Sequence, residues 1–258
     1  MKLNGQGIVI TGASKGLGKA LAFELGRRGA RLFLVARNEK ELNRVVGSLR
    51  EDGIEAHGWA ADVADKDAVY PLAGAAQTAL GHVDVVIHNA SALGPSPLRP
   101  LLDTDCEDLE RALAVNLIGP FRLSKVFAGS MAMRQHGLIV HVTSDASVSA
   151  YPTWGAYSVS KAGFDHLARV WAAELDGFGV RMLSVDPGDM NTELHREAAP
   201  ADDPTTLLDP EEVAERLVDF LETAEAVPNG ARVSLSEWSA PRWKSGGALA
   251  TSIGGTRS

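Results

Sequence analysis

The sequence predicts an α/β fold: a single doubly wound parallel sheet of about seven strands with helices on both faces. Three observations predict it. Short β-branched runs alternate with longer amphipathic stretches along most of the 258 residues, the rhythm of successive β-α-β units with right-handed crossovers. The strand runs are nearly continuous in apolar residues, which suits strands covered on both faces. No Pro/Gly/Ser-rich linker divides the chain before about residue 236, so residues 1–235 are expected to form one domain and 236–258 a tail.

The elements follow in order. GIVIT (7–11) is a strand, a helical pattern covers about 17–28, and RLFLVA (31–36) is the second strand. A charged helical stretch (39–51), IEAHGWA (54–60), a third helix (65–80) and VDVVIH (83–88) continue the alternation. The second half repeats it with long helical patterns around 105–134, then LIVHVTS (138–144), a helix over about 156–175, VRMLSVD (180–186), a helix over 211–223 and ARVSL (231–235). Two segments break the rhythm. The proline-rich stretch 91–105 follows the fourth strand and the irregular stretch 188–209 follows the sixth. Both leave carboxyl ends of strands, where open α/β sheets bind ligands. The tail carries Trp238 and Trp243 but is rich in Gly and Ser, a composition that predicts disorder.

Composition narrows the function classes. A hydrophobic content of 45% with 22% charged residues is ordinary for a globular chain. No uncharged apolar run reaches the ~18 residues of a membrane span, and MKLNGQGIVITG has no long apolar segment before a cleavage site. A cytoplasmic protein with no membrane partner is expected. The net charge is −8 and the basic residues are scattered, which argues against nucleic acid as a partner. Cys106 is the single cysteine, so no intramolecular disulfide or thiolate metal site can form. His88, His141, His166 and His195 share no ligand spacing with a carboxylate or cysteine, and no metal is expected.

Directly after the first strand comes TGASKGLG (11–18), opening the first helix. Gly12, Gly16 and Gly18 allow a tight turn and let the backbone N–H groups of the Ser14, Lys15 and Leu17 stretch approach an anion, while the helix N-terminus adds favourable partial charge. In its strand–turn–helix context this is a dinucleotide pyrophosphate cradle.

The glycine spacing resembles that of the short-chain dehydrogenase/reductase family, with its Rossmann-type fold, and YSVSK (157–161) resembles that family's Tyr-x-x-x-Lys pair. Other signatures recur in their expected order: ADV (61–63), HNAS (88–91), AVNLIGPF (114–121), VTS (142–144) and DPGDMNT (186–192). The resemblance covers about residues 5–235. It implies that Asp62 and Val63 hold an adenine, Asn89 and Ala90 the ribose region, and Pro187, Gly188 and Thr192 the nicotinamide end. One departure is Ser91, which stands where the family's Asn-Asn-Ala-Gly signature has its glycine and adds a side chain near the expected cofactor ribose.

Charge selects the nucleotide. NAD sites carry an acid near the end of the second strand, whereas NADP sites offer a cation to the 2′-phosphate. Here Ala36-Arg37 stands at that point and the first acid is Glu39. Lys15 adds a second cation and Ser14 a hydroxyl, so NADP(H) is expected in preference to NAD(H).

Tyr157 and Lys161, four residues apart, share one face if their segment is helical. Hydride transfer to a carbonyl carbon leaves negative charge on oxygen and requires a proton donor within reach. Tyr157 is assigned that role, with the Lys161 ammonium expected to lower the phenol's pKa from ~10. The resemblance gives Lys161 a second bond to the nicotinamide ribose, makes Ser144 the group that orients the substrate carbonyl, and has Asn116 hold a relay water. The small-molecule partner is thus a carbonyl or alcohol. Phe164, Leu167, Ala168, Trp171 and Ala172 form an apolar stripe on the Tyr–Lys helix, read as the interface of a homodimer or homotetramer. The alternative is a non-catalytic nucleotide-binding or signalling protein of the same fold.

Overall fold

The computed structural model describes residues 1–239. In chain order the elements are β1 (Gly7–Thr11), α1 (Gly16–Arg27), β2 (Arg31–Ala36), α2 (Glu39–Glu51), β3 (Ala56–Ala60), α3 (Val69–Leu80) and β4 (Val85–His88). The second half adds α4 (Cys106–Leu113), α5 (Gly119–Arg134), β5 (Gly137–Val142), α6 (Gly155–Glu174), β6 (Val180–Asp186), α7 (Glu193–Ala198), α8 (Pro210–Thr223) and β7 (Arg232–Ser234). The seven strands pair in parallel in the order β3-β2-β1-β4-β5-β6-β7. The order reverses between β1 and β4, and at that switch point the carboxyl ends of the strands diverge and leave a crevice.

The inner strands β1, β2, β4, β5 and β6 are mostly apolar and buried because each side of the sheet meets its own helical layer, whereas the edge strands β3 and β7 are more polar and partly exposed. Ile8 and Ile10 of β1 pack with Leu21 of α1 and Leu217 of α8, while Val9 between them packs with Leu72 of α3 and Phe127 of α5. The other strands repeat the alternation, with Val85 and Ile87 on one side and Val86 on the other. Each fully buried Leu, Ile or Phe contributes about 1.5–3 kcal/mol, so both layers bind the sheet firmly and its strand ends form a stable floor.

Four sequence expectations change. The helical region 105–134 is interrupted by a π-helical turn, Ala114–Ile118, that carries Asn116; an extra residue in a helical turn redirects a side chain. The stretch 188–209 contains α7, whose first turn is capped by the Thr192 hydroxyl accepting from the His195 N–H. The apolar stripe of α6 divides: Phe164, Ala168 and Ala172 are buried in the chain's own core, with Leu167 and Trp171 partly buried beside them. They are core because α6 lies over the sheet on a wide face, so helical spacing alone does not tell which partner covers it. The exposed apolar side chains nearby are Ile118, Phe121, Val159 and Val170. Finally, Trp238 packs edge-on against Phe220 of α8 at 5.7 Å, so the start of the expected disordered tail is ordered; residues 240–258, including Trp243, lie outside the described residues. Among the described residues no helix is long and apolar enough to cross a membrane.

Candidate active site

One cavity of about 1290 Å³ runs along the carboxyl ends of the strands from the glycine turn to α7. Sixteen of the sequence-predicted site residues line it; the two that do not, Gly18 and Asn116, lie behind its wall. The volume exceeds that of an ordinary drug-sized pocket and leaves room for a dinucleotide beside a substrate.

At its first end, backbone freedom shapes the wall. Gly12 has φ +68° and Gly16 φ +48°, the left-handed region that glycine enters without steric cost. A Cβ at Gly12 would lie 2.8 Å from the Ala90 Cα, and one at Gly18 only 2.3 Å from the Gly12 carbonyl oxygen. The turn therefore packs directly on the loop after β4, where Asn89 donates from Nδ2 to the carbonyls of Thr11 and Gly12 at 3.1 Å each. Lys15 stands at the N-cap of α1 with no side-chain oxygen to offer, and the first turn carries no acid, so the free N–H groups present an anion site. These residues fit a pyrophosphate.

The charged groups at this end are unequal. Lys15 pairs with Glu193 of α7 at 2.9 Å and with Glu41 of α2 at 3.3 Å, and these partners raise its pKa. Arg37 is exposed on the cavity wall and has no carboxylate within ion-pair distance among the described residues. Burial would raise Asp62, but the Ala64 N–H and the Arg111 guanidinium, 2.8 Å away, outweigh it and hold its carboxyl below the ordinary value.

At the second end α6 presents Tyr157 and Lys161 one turn apart. Lys161, 1% exposed, donates to the Val142 carbonyl at 2.7 Å, and its ammonium lies 5.5 Å from the centre of the Tyr157 ring. Burial pulls Lys161 down to about 8. Burial also pushes the Tyr157 phenol up to about 12, against hydrogen bonds from Ser144 and Ser91 that act to lower it. The direction expected from the Tyr–Lys spacing is therefore reversed in this arrangement, because removing a phenolate from water costs more than its neighbours return. Ser144 donates to Asp145 Oδ1 at 3.0 Å, and Tyr151 donates to the other oxygen of Asp145 at 2.6 Å. Leu93, Ala146, Trp154 and Leu194 form an apolar wall around Tyr157.

Asn116 is fully engaged. Its Nδ2 donates to Ala92 O and Ser160 Oγ, both at 2.8 Å, and its Oδ1 accepts from Ala92 N at 2.8 Å and Ser91 Oγ at 3.3 Å. Arg232 of β7 went unnoticed in the sequence. It donates to the Ser144 carbonyl at 2.9 Å and to Asp186 at 2.8 Å, and lies 3.4 Å from the buried Asp165. One guanidinium thus joins the serine loop, 88 residues from it in sequence, to Asp186 before the turn of Pro187 and Gly188, a separation at which no local pattern gives a signal.

Residues 6–203 match the family described as short chain dehydrogenase. The D-threitol dehydrogenase of Mycolicibacterium smegmatis is 31% identical over 239 residues, which span 89% of this chain and 91% of that protein. Among solved structures, a gluconate 5-dehydrogenase from Burkholderia cenocepacia in complex with NADP and tartrate superposes with a TM-score of 0.80 at 26% identity, covering 90% of this chain and 95% of that one. An NAD+-bound xylitol dehydrogenase gives 0.79 at 25% identity, covering 91% and 98%.

Proposed function

The chain belongs to the short chain dehydrogenase family, and from that premise we propose that it is an oxidoreductase transferring a hydride between NADP(H) and the carbonyl or alcohol carbon of a small organic substrate. The observation that carries this reading is the meeting, in one cavity, of the glycine cradle with Ser144, Tyr157 and Lys161. When bound, the nicotinamide nucleotide supplies or accepts the hydride.

The chain's own residues then do the following. Gly12, Ser14, Gly16 and the α1 N-terminus hold the pyrophosphate, Asp62 and Val63 the adenine, and Pro187, Gly188 and Thr192 the nicotinamide end. Ser144 directs its hydroxyl at the substrate oxygen. Tyr157 donates its proton to that oxygen as negative charge develops there, and takes it back in the reverse direction. A phenol pushed up to about 12 keeps its proton at neutral pH, which suits donation. Lys161 keeps positive charge beside the tyrosine as the phenolate forms. Leu93, Trp154 and Leu194 keep water from the reacting centre.

NADP(H) in preference to NAD(H) is supported by Arg37, the cation left open at the end of β2. Lys15 contributes less than its position in the turn suggests, because Glu193 and Glu41 already neutralise it. Relatives whose structures hold NADP and NAD+ leave both nucleotides within the family's range, so the charge at Arg37 carries the choice. The substrate end bears Asp145, Asp189 and Asp202, with His195 paired to Asp202 at 2.9 Å, which disfavours strongly anionic substrates. A homodimer or homotetramer would cover the exposed apolar face of Ile118, Phe121 and Val170, and light scattering reads its mass directly.

The test is turnover. A panel of neutral aldehydes and ketones supplied with NADPH should reveal a substrate for the wild type, and Tyr157→Phe should lower kcat by about 10²–10⁴-fold while nucleotide binding stays. Near-wild-type turnover in Tyr157→Phe would contradict the proposal.

A further inference from the structure

We propose that Arg232 is a positioning residue for hydride transfer: its guanidinium fixes the Ser144 backbone and the turn of Pro187 and Gly188 against each other, so that substrate oxygen and nicotinamide end are held in register. This rests on the reading of Ser144, Tyr157 and Lys161 as the reacting centre. Arg232 does not line the cavity, and it acts through the groups it holds.

The network begins at the sheet edge. β7 pairs with β6 so that Arg232 stands beside Ser184 and Ser234 beside Asp186, which brings the guanidinium to the carboxyl end of β6. Its Nη2 donates to the Ser144 carbonyl at 2.9 Å and to Asp186 Oδ2 at 2.8 Å. The other oxygen of Asp186 accepts from the Gly188 N–H at 3.1 Å, so one carboxylate carries the hold of Arg232 into the turn. On the guanidinium's other side, Nε donates to Ser147 Oγ at 3.3 Å and lies 3.4 Å from Asp165 Oδ2. Asp165 stands on α6 one turn beyond Lys161, and the same oxygen accepts from the hydroxyls of Thr143 at 2.9 Å and Ser147 at 2.6 Å.

Three elements that place the reacting groups therefore share one cation: the serine loop, the turn after β6 and the Tyr–Lys helix. Asp165 and Asp186 are each 6% exposed, and a buried carboxylate needs a partner, so the guanidinium is held in place from both sides. Its planar fork suits the task, because donors at fixed angles reach the serine loop, β6 and α6 at once. An ammonium would bring the charge without the fork. At Ser144 the hydroxyl oxygen accepts from the Ala146 N–H at 3.2 Å while Arg232 holds the carbonyl. With both groups anchored, the direction of the hydroxyl is set before substrate arrives.

The experiment is single-turnover reduction, with NADPH, of the first neutral aldehyde or ketone that the wild type accepts, followed by nucleotide absorbance. Wild type, Arg232→Lys, Arg232→Met and Tyr157→Phe are compared, with NADPH affinity measured in parallel. Both Arg232 variants should transfer hydride about 10–100-fold more slowly, because a small misplacement of reacting groups is costly. The Kd for NADPH should change by less than about threefold, since its phosphates are held at the far end of the cavity, and the amplitude per bound nucleotide should stay. A merely structural role would lower the amplitude, as fewer molecules fold, and leave the rate. Arg232→Lys keeps a positive charge between the two carboxylates and carries the test if Arg232→Met does not fold. A wild-type rate in Arg232→Lys, or a lowered amplitude at unchanged rate in either variant, with Tyr157→Phe inactive, overturns the positioning role alone. Turnover retained in Tyr157→Phe overturns the reading of the reacting centre and this proposal with it.

Discussion

The two ends of the cavity are built by different means. The nucleotide end is made of backbone: a glycine turn whose φ angles and close approaches leave no space for a Cβ, packed on Asn89 and opening into the N-terminus of α1. The substrate end is made of side chains from the loops after β4 and β5 and from α7, with Ser144, Asp145 and Tyr151 joined by hydrogen bonds and Leu93 and Leu194 by apolar contact that no local pattern dictates. The lesson concerns tolerance. A backbone cradle admits few sequences and keeps one ligand class, whereas a side-chain wall can be rewritten while the chemistry beside it persists.

The largest effect that would break the comparison is at Gly18. A methyl group there would sit 2.3 Å from the Gly12 carbonyl oxygen and 2.5 Å from Asn89 Nδ2, so the turn must shift. Gly18→Ala should cost about 1–3 kcal/mol of stability and weaken NADPH and NADH alike by about 100-fold or more, as calorimetry would record. Wild-type affinity for either nucleotide would mean that the cradle is less constrained than its contacts indicate.

A smaller effect concerns the floor where the two ends meet. His88 and His141 face one another across β4 and β5. Burial pulls His88 down to about 3 and drives His141 well below its ordinary value. His88 bonds Ser124 at 2.9 Å, whereas neither ring nitrogen of His141 has a partner among the described residues. Both are neutral when folded and gain a proton when unfolded below about 6.5. Their stabilisation is thus fully present above that pH and is lost on acidification, by about 1.4 kcal/mol per pH unit for each histidine until its folded pKa is reached. Urea midpoints at pH 7, 6 and 5 should fall accordingly, and His141→Leu should roughly halve the histidine part of the slope. An unchanged slope in that variant would place the acid sensitivity elsewhere.

How much of this the sequence carried follows the same division. Alternating runs gave the sheet, because each inner strand is apolar on both sides and each helix on one. The cradle was legible because a strand, a glycine turn and a helix start are contiguous. Three things were not. The α6 stripe looked like an interface because spacing reports an apolar face without naming what covers it. α7 was hidden because it has six residues among prolines and acids, and its Thr192 cap is a weak local signal. Ser91 and Arg232 gained their partners only through folding, Ser91 at Asn116 25 residues away and Arg232 at Ser144. The neutralisation of Lys15 by Glu193 is another such contact, 178 residues apart in sequence, and in the proposed reading it leaves the choice of nucleotide to Arg37.

That choice is the point at which backbone cradle and side-chain charge make one joint claim. Titrating the purified protein with NADPH and with NADH by calorimetry, in wild type and in Arg37→Ala, tests it most directly. NADPH should bind about 10–100-fold more tightly than NADH, as one charge-assisted phosphate contact implies, and Arg37→Ala should erase the difference while leaving NADH nearly unchanged. Equal wild-type affinities, or a preference for NADH, would contradict the assignment of the 2′-phosphate to Arg37, and binding of neither nucleotide would contradict the account as a whole.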